Sequence, residues 1–541
     1  MKTFKVVVDG QSYEANNEMT FYDIIHNIKP NTVLVKVNGE VFSLDTKIKE
    51  ECEIIPLDVT SLPGYKSYQS GLKFLFFLSV KELFPEAKLS FLHSVPKGIL
   101  SEVILNHELT NEDVSKIKGQ MALNVSKKLR YLKYNIEIKD AYDYFMKKGE
   151  IEKAKNLQTL NNPIVTLYRL GNELNYFYTL MPYDTSVINL YELVFLGNNR
   201  IVLVCPNVTS GLSIPEYVHY ENIVTNFMET KKWLSLMNAS YVSLMNELVS
   251  SSKIKNFIAS NEILFVEDIL KACDTITASK DIKIVLIAGP SSSGKTTTMK
   301  RLSSFLQSRG LHPIGLSTDD FFVDREDTPK NEKGEYDYEC LEAIDLKLFN
   351  DTLQGLLDGK EVEIPEYDFV AGKKVFKGRK CVLDEKSILI VEGLHCLNDD
   401  LTPYIDERYK YKIYLSPFIP LNIDRHNYIS TLDLRLIRRI VRDNRTRGKN
   451  VNQTIGEWQV VRSGEEKYIF PYVYQADRII NTALAYEIGV LKIYAVPLLS
   501  SVDIRSPYYN EARRLINYMQ TFYTIPSEYV PKDSILREFI G

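Results

Sequence analysis

Cysteine is scarce and scattered in this chain. The six residues, Cys52, Cys205, Cys273, Cys340, Cys381 and Cys396, form no CxxC pair and no short regular spacing. That pattern excludes a cysteine zinc cluster or a disulfide framework, and reduced thiols in a cytoplasmic protein are the expectation. With 25 glycines and 21 prolines in 541 residues, a fibrous or low-complexity chain is excluded as well. Long hydrophobic runs are missing. The most apolar stretch, Leu72 to Val80, contains Lys73 and falls well short of the roughly 20 residues that cross a bilayer, so it reads as a core helix and no membrane partner is expected. Met1 to Val8 lacks the apolar stretch and small-residue cleavage site of a secretory signal, and export is not expected. Neither charge sign dominates: 66 Lys and Arg against 70 Asp and Glu leave a net charge of −4, which gives no global pull toward nucleic acid or anionic lipid. What the chain does have is 45% hydrophobic residues, enough to fill three or four domains at about 150 residues each.

Residues 1–60 read as a compact α/β unit. Strands at Phe4 to Val8 and near Tyr13 precede a short helix at Phe21 to Ile28, and Asn38-Gly39 then marks a hairpin between two further strands before Glu53 to Leu57 closes the sheet. The ββαβββ order is a β-grasp pattern, and the segment VNGEVFSLDTKI at 37–48 resembles the TGS domain at the start of threonyl-tRNA synthetases. The segments at Val80 to Pro85 and Leu109 to Asp113 resemble the editing-type α+β domain that follows in that family, placed here at 61–225. The family's HxxxH pair would be replaced by Ser70 and Phe74, while His93 and His107 are isolated, so editing chemistry is not expected and a binding, regulatory or assembly role is. Residues 226–280 are helical in pattern and read as a connector. A helix at Asn510 to Tyr523 and a polar tail make up 501–541.

The chemistry lies between these segments. Ile284 to Ala288 is an apolar run of strand type, followed by Gly289-Pro-Ser-Ser-Ser-Gly294-Lys295-Thr296 and then a helix with Met299, Leu302, Phe305 and Leu306 on one face. In GxxxxGKT the glycines turn backbone N–H groups toward phosphate oxygens, the lysine adds positive charge, and the threonine hydroxyl can ligate Mg²⁺. The cofactor-binding set is therefore Gly289, Ser291, Ser292, Ser293, Gly294, Lys295, Thr296 and Thr297. A second apolar segment, Pro313 to Ser317, runs into Asp319 and Asp320, and a third, Ser387 to Val391, ends in Glu392. Carboxylates at strand tips sit where ligands of open α/β sheets bind, and they can accept a proton or hold a cation. Arg435, Arg438, Arg439 and Arg442 recur at helical spacing, extended by Arg445, Arg447 and Lys449. Such a stripe fits a solvated face, an RNA-binding patch or a lid over phosphates.

Taken in order, GPSSSGKTT at 289–297, STDDFF at 317–322, IPEYDF at 364–369, LIVEGLH at 389–395 and RRIVRDNRTRGK at 438–449 resemble the uridine kinase and phosphoribulokinase-like P-loop kinases, and uridine kinases more closely. The resemblance covers 281–500. It implies a P-loop parallel sheet, ATP and Mg²⁺, and transfer of a phosphoryl group to a nucleoside 5′-hydroxyl, with uridine or a relative as acceptor. Asp319, Lys295, Arg442 and Arg447 would be catalytic, and Thr296, Asp319 and Glu392 would support the metal. Asp319, Phe322, Glu339, Tyr367, Phe369, Arg439 and Glu457 would meet the acceptor. Gly372 stands where the family usually has a histidine, Phe322 where it has a phenol, and Glu457 where it has a glutamine. A kinase of another small metabolite, or an RNA-associated nucleotide-dependent regulator contacting RNA through the N-terminal domains, stays open at this point, as does a homo-oligomer.

Overall fold

The computed structural model describes residues 3–330, 334, 336–368 and 371–541. Alternating apolar side chains build the first sheet: in Thr3–Val8, Phe4, Val6 and Val8 are buried while the intervening positions face outward. Thr3–Val8 pairs antiparallel with Gln11–Asn16 and parallel with Cys52–Leu57. Leu34–Val37 joins Cys52–Leu57 to Glu40–Ser43 at the far edge. One helix, Phe21–Ile25, is capped reciprocally by Thr20 and Asp23. The result is the ββαβββ order on a mixed sheet that the alternation predicts.

The next unit centres on the helix Leu62–Leu83, capped by Ser61 and buried along most of its length. It packs with a four-stranded antiparallel sheet formed by Lys88–Val95, Gly98–Ile104, Glu192–Gly197 and Arg200–Val204. A separate three-stranded sheet (Leu132–Glu137, Ile164–Leu170, Glu173–Asn175) lies in the same unit. Ser70 accepts a hydrogen bond from the Thr179 hydroxyl at 2.7 Å, and Phe74 packs against Tyr131 and Phe177. His93 is a core residue. Its Nε2 is 3.0 Å from the Thr431 hydroxyl, its ring stacks on Phe227, and burial pushes its pKa down to about 3. His107 lies 3.0 Å from the helix-capping Asp113.

Three helices follow, Glu221–Leu236, Val242–Ser250 and Ile254–Ala278. The third does more than connect, because Phe265, Ile269 and Cys273 share a core with Val285 and Ile287 of the next sheet. That sheet has five parallel strands in the order His312–Ser317, Ser387–Gly393, Ile284–Ala288, Lys410–Ser416, Arg478–Asn481. All five residues of Ile284–Ala288 are buried, as a central parallel strand requires. Between Lys410–Ser416 and the helix Thr431–Arg447, a small hairpin (Asn422–Asp424 with Asn427–Tyr428) leaves this unit and enters the preceding one. Phe91 N–H donates to the Arg425 carbonyl at 2.8 Å, and Asn422 Nδ2 donates to the Phe91 carbonyl at 2.9 Å. Buried Lys153 meets Glu150 at 2.7 Å and His426 Nδ1 at 2.8 Å. Among the described residues no helix is long and apolar enough to cross a membrane.

Two departures from the sequence reading matter. The arginine stripe of Thr431–Arg447 is divided, because Arg435 and Arg438 are almost fully buried. Arg435 forms a two-pronged ion pair with Glu465, and Arg438 bonds Glu487 at 2.6 and 2.9 Å. The flanking Leu434, Ile437, Ile440 and Val441 are buried too, so this helix has little solvated face. The end of the chain is also not a polar tail. After the helix Tyr509–Gln520, Ile535, Leu536, Phe539 and Ile540 are buried, and Phe539 lies under the Arg438 guanidinium, 5.0 Å from ring centroid to charge. A segment this short shows no periodicity that sequence reading can use.

Removing one partner of a fully buried ion pair leaves an uncompensated charge and costs about 3–5 kcal/mol. Glu487→Gln is therefore expected to lower the urea midpoint of the transition followed by the fluorescence of Trp233 and Trp458. Phe539→Ala, which empties a buried aromatic site, is expected to cost about 3–5 kcal/mol in the same assay.

Candidate active site

The strand register brings the sequence motifs to one edge. Glu392 lies opposite Ile287 on one side and Ser317 on the other, and Gly393 lies opposite Ala288. The loop 289–294, the Glu392 carboxylate and the 3₁₀ turn Thr318–Phe321 thus all leave the carboxyl ends of adjacent parallel strands. The helix Lys295–Ser308 starts at once after the loop and presents its N-terminus to the same edge.

Within the loop, Lys295 Nζ donates to the Gly289 carbonyl at 2.9 Å. Ser292 holds a φ of 61°, a left-handed conformation that an L-residue adopts at a cost. The Ser292 and Ser293 hydroxyls are buried without a hydrogen-bond partner among the described residues. An unpaired buried hydroxyl costs about 1–3 kcal/mol, and phosphate oxygens in the concavity would supply the missing acceptors. Outside the concavity the loop is braced. Arg435 Nε donates to the Ser291 carbonyl at 2.9 Å, Arg438 Nη1 to the Ser292 carbonyl at 3.3 Å, and Arg439 Nη1 to the Ser291 hydroxyl at 3.0 Å.

The Thr296 hydroxyl donates to Glu392 Oε1 at 3.3 Å, and the Ser317 hydroxyl lies 3.5 Å from the same oxygen. Burial raises the Glu392 pKa, Lys295 opposes that shift, and the negative charge of Asp319 adds to it. Asp319 is open to solvent, yet the protein around it raises its pKa as well, against the pull of Lys295 and Arg447. Two carboxylates with raised pKa values beside a hydroxyl are a donor set suited to Mg²⁺, which takes one or two protein carboxylates and completes its octahedron with phosphate and water. Among the described residues no three His, Cys, Asp or Glu side chains cluster closely enough to hold a metal unaided.

Glu339 is half-buried, and its pKa is pushed up to about 7, first by burial, then by the charges of Glu465 and Asp319, with Lys295 and Arg439 opposing. Phe322 and Tyr367 meet edge to face with ring centroids 5.7 Å apart. Phe369 lies outside the described residues. Gly372 has a φ of 69°, and a Cβ there would stand 2.8 Å from Arg325 Nε, so a histidine at this position would have to displace Arg325 and adopt a strained backbone. Glu457 is held by Arg439 at 3.1 Å and by Lys449 at 2.6 Å. Arg442 bonds Asp443 at 2.8 and 2.9 Å, and half-exposed Arg447 is 3.7 Å from the same carboxylate. The Thr297 hydroxyl points elsewhere and donates to Glu538 of the C-terminal segment at 2.7 Å. Arg301, one turn further along that helix, pairs with Asp533 at 2.9 Å.

Sequence reasoning misses the brace residues Glu465 and Glu487 and the contribution of the last segment. The available signal for the brace is the pattern of the arginine helix itself, where apolar residues flank the cations too closely to leave a wet stripe.

The profile of the phosphoribulokinase / uridine kinase family matches residues 284–488. A uridine kinase from Staphylococcus epidermidis is 30% identical over 220 residues, which cover 39% of this chain and 96% of that protein. A uridine kinase from Staphylococcus aureus is 28% identical over 225 residues, 40% of this chain and 98% of that one. Among solved structures, D-glycerate 3-kinase from Cryptococcus neoformans aligns at 14% identity with a TM-score of 0.20, over 52% of this chain and 89% of that one. The matched span contains the phosphate loop, both acidic strand tips and the arginine helix, and membership implies use of ATP and Mg²⁺. Through its C-terminal half, this chain belongs to the phosphoribulokinase / uridine kinase family of P-loop kinases.

Proposed function

We propose that the chain transfers the γ-phosphoryl group of ATP to the 5′-hydroxyl of a nucleoside, uridine or a relative. The observation that carries this reading is the convergence of Lys295, Thr296, Asp319 and Glu392 on one sheet edge, with Thr296 and Glu392 in direct contact. The loop amides and Lys295 hold the phosphates. Thr296 and Glu392, with Asp319 beside them, would hold Mg²⁺, which when bound would neutralise charge on the phosphate oxygens. Asp319 orients the acceptor hydroxyl and takes its proton as the hydroxyl oxygen bonds to the γ-phosphorus and the bond to the ADP oxygen breaks. Its raised pKa moves this base toward neutral pH. Arg442 and Arg447 screen the site from water and balance negative charge on the transferring group.

Phe322, Tyr367 and Glu339 form the acceptor side in this reading. The family resemblance favours a nucleoside. The Arg325 side chain packed over Gly372, and a phenyl ring in place of a phenol, favour an acceptor whose hydrogen-bonding edge differs from that of uridine, because a site built to bond one pattern discriminates strongly against another. The N-terminal units, read as TGS-like and editing-like domains, are proposed to bind or regulate.

Asp319→Asn is expected to lower kcat by about 10²–10⁴-fold with ATP affinity within about threefold of the parent, checked by ADP release and nucleotide titration. Unchanged turnover would remove Asp319 from its role as base. A panel of nucleosides, sugar phosphates and hydroxy acids, scored for acceptor-dependent ADP formation, is expected to single out a nucleoside. Glu339 provides a pH test. A carboxyl with a pKa of about 7 in the folded state and the ordinary lower value in the unfolded state keeps its proton longer when folded. Its destabilising contribution therefore grows as pH rises from about 4.5 to about 7 and levels off above that. Glu339→Gln is expected to raise thermal stability at pH 8 by about 1–2 kcal/mol, after discounting for partial exposure, and to change it little at pH 4.5.

A further inference from the structure

A second cavity, separate from the phosphate loop, lies where the N-terminal units meet the kinase unit. None of residues 289–297 lines it. An inner chamber of about 120 Å³ is bounded by the helix Leu62–Leu83, the Asn427–Tyr428 strand, and the start of the helix Thr431–Arg447. An outer cleft of about 820 Å³ continues from it past Lys66, Glu511 and Arg514, with walls that include Leu57, Tyr168, Phe177, Trp458 and Tyr508. The two together have the size and lining of a site for a small organic molecule.

The charges of the inner chamber do not balance. Lys66 and Arg514 are matched by Asp433 and Glu511, with contacts of 2.6–3.3 Å among the four. Lys73 has no such partner. It is 8% exposed, and among the described residues no hydrogen bond or ion pair reaches its ammonium group, which instead lies 5.2–5.8 Å from the ring centroids of Phe91, Phe177 and Tyr428. Arg462, 7% exposed, has one carboxylate contact, to Glu466 at 3.3 Å, and its Nη1 is buried without a partner among the described residues. The Tyr518 hydroxyl, also lining the chamber, is likewise buried and unpaired among them. Burial draws the Lys73 pKa down to about 8, against the longer-range pull of the Asp424 carboxylate, so the amine is still mostly charged at neutral pH. A buried cation with no directly bonded counter-ion, its nearest opposing charge Asp424 being shared with Lys153, is a cost that structures rarely carry unless something else meets it.

We propose that this cavity is a second ligand site that takes a small organic anion, its carboxylate or phosphate head on Lys73, Arg462 and the Tyr518 hydroxyl, and its apolar or aromatic body among the rings of the outer cleft. The cation–π contacts hold the ammonium in place without neutralising it, and Tyr518 adds a donor to the head. The site shares residues with the helix that braces the phosphate loop, since Ser430, Leu432 and Asp433 belong to its wall.

The test uses anilinonaphthalene sulfonate, an aromatic body with one anionic group, titrated into the full-length chain and read by fluorescence. The expected result is saturable binding to one site, weakened by about tenfold or more in Lys73→Met and in Arg462→Gln, and retained in Lys295→Ala. The uncharged analogue phenylnaphthylamine is expected to bind the parent chain no more tightly than the sulfonate binds Lys73→Met. Equal sulfonate affinity in the parent and in the folded variants would overturn the proposal. So would displacement of the probe by ATP, or equal affinity for the charged and uncharged probes. If one variant does not fold, the other decides.

Discussion

A loop that turns its N–H groups inward to cradle phosphate must turn its carbonyls outward, and in this chain those carbonyls meet protein instead of water. Arg435 and Arg438 supply the donors, at the carbonyls of Ser291 and Ser292. Two buried guanidinium groups would be untenable alone, and Glu465 and Glu487 neutralise them from the far side. The phosphate site therefore depends on a layer of buried charge behind it. That layer explains why the helix Thr431–Arg447 is buried on nearly all sides until its last turn, where Asn444 to Arg447 are exposed.

Much of this was legible in the sequence, and unevenly so. The phosphate loop, the acidic strand tips and their order follow from local patterns: an apolar run, a turn signal, a helix start. The alternation in Thr3–Val8 and the turn at Asn38-Gly39 made the first sheet readable for the same reason. The arginine stripe was harder, because a cation paired inside a core and a cation facing solvent look alike until the partner is known, and Glu487 lies about 50 residues from Arg438 in the chain. The pairing of the final segment with the helix Lys295–Ser308 was out of reach, since contacts between residues more than 200 positions apart leave no periodic trace.

The N-terminal units are joined to the kinase unit through its interior. The hairpin at 422–428 is inserted between a central strand of the parallel sheet and the brace helix, and it is gripped by the backbone of Phe91 and by the buried Lys153 cluster. His93 touches Thr431 in the first turn of that helix. The N-terminal unit thus directly contacts the helix that holds the loop carbonyls.

The position of residues 531–541 has a consequence for biosynthesis. Ile535 lies against Gly294, Glu538 bonds Thr297, and the carbonyls of Glu538 and Phe539 accept hydrogen bonds from Arg445. A ribosome delivers the phosphate loop some 240 codons before it delivers this segment, so a nascent chain carries the loop with one wall open. Premature termination or clipping within these residues would remove no strand of the parallel sheet, but it would strip the helix beside the loop of its cover and open the core that Ile535, Leu536, Phe539 and Ile540 share with that sheet.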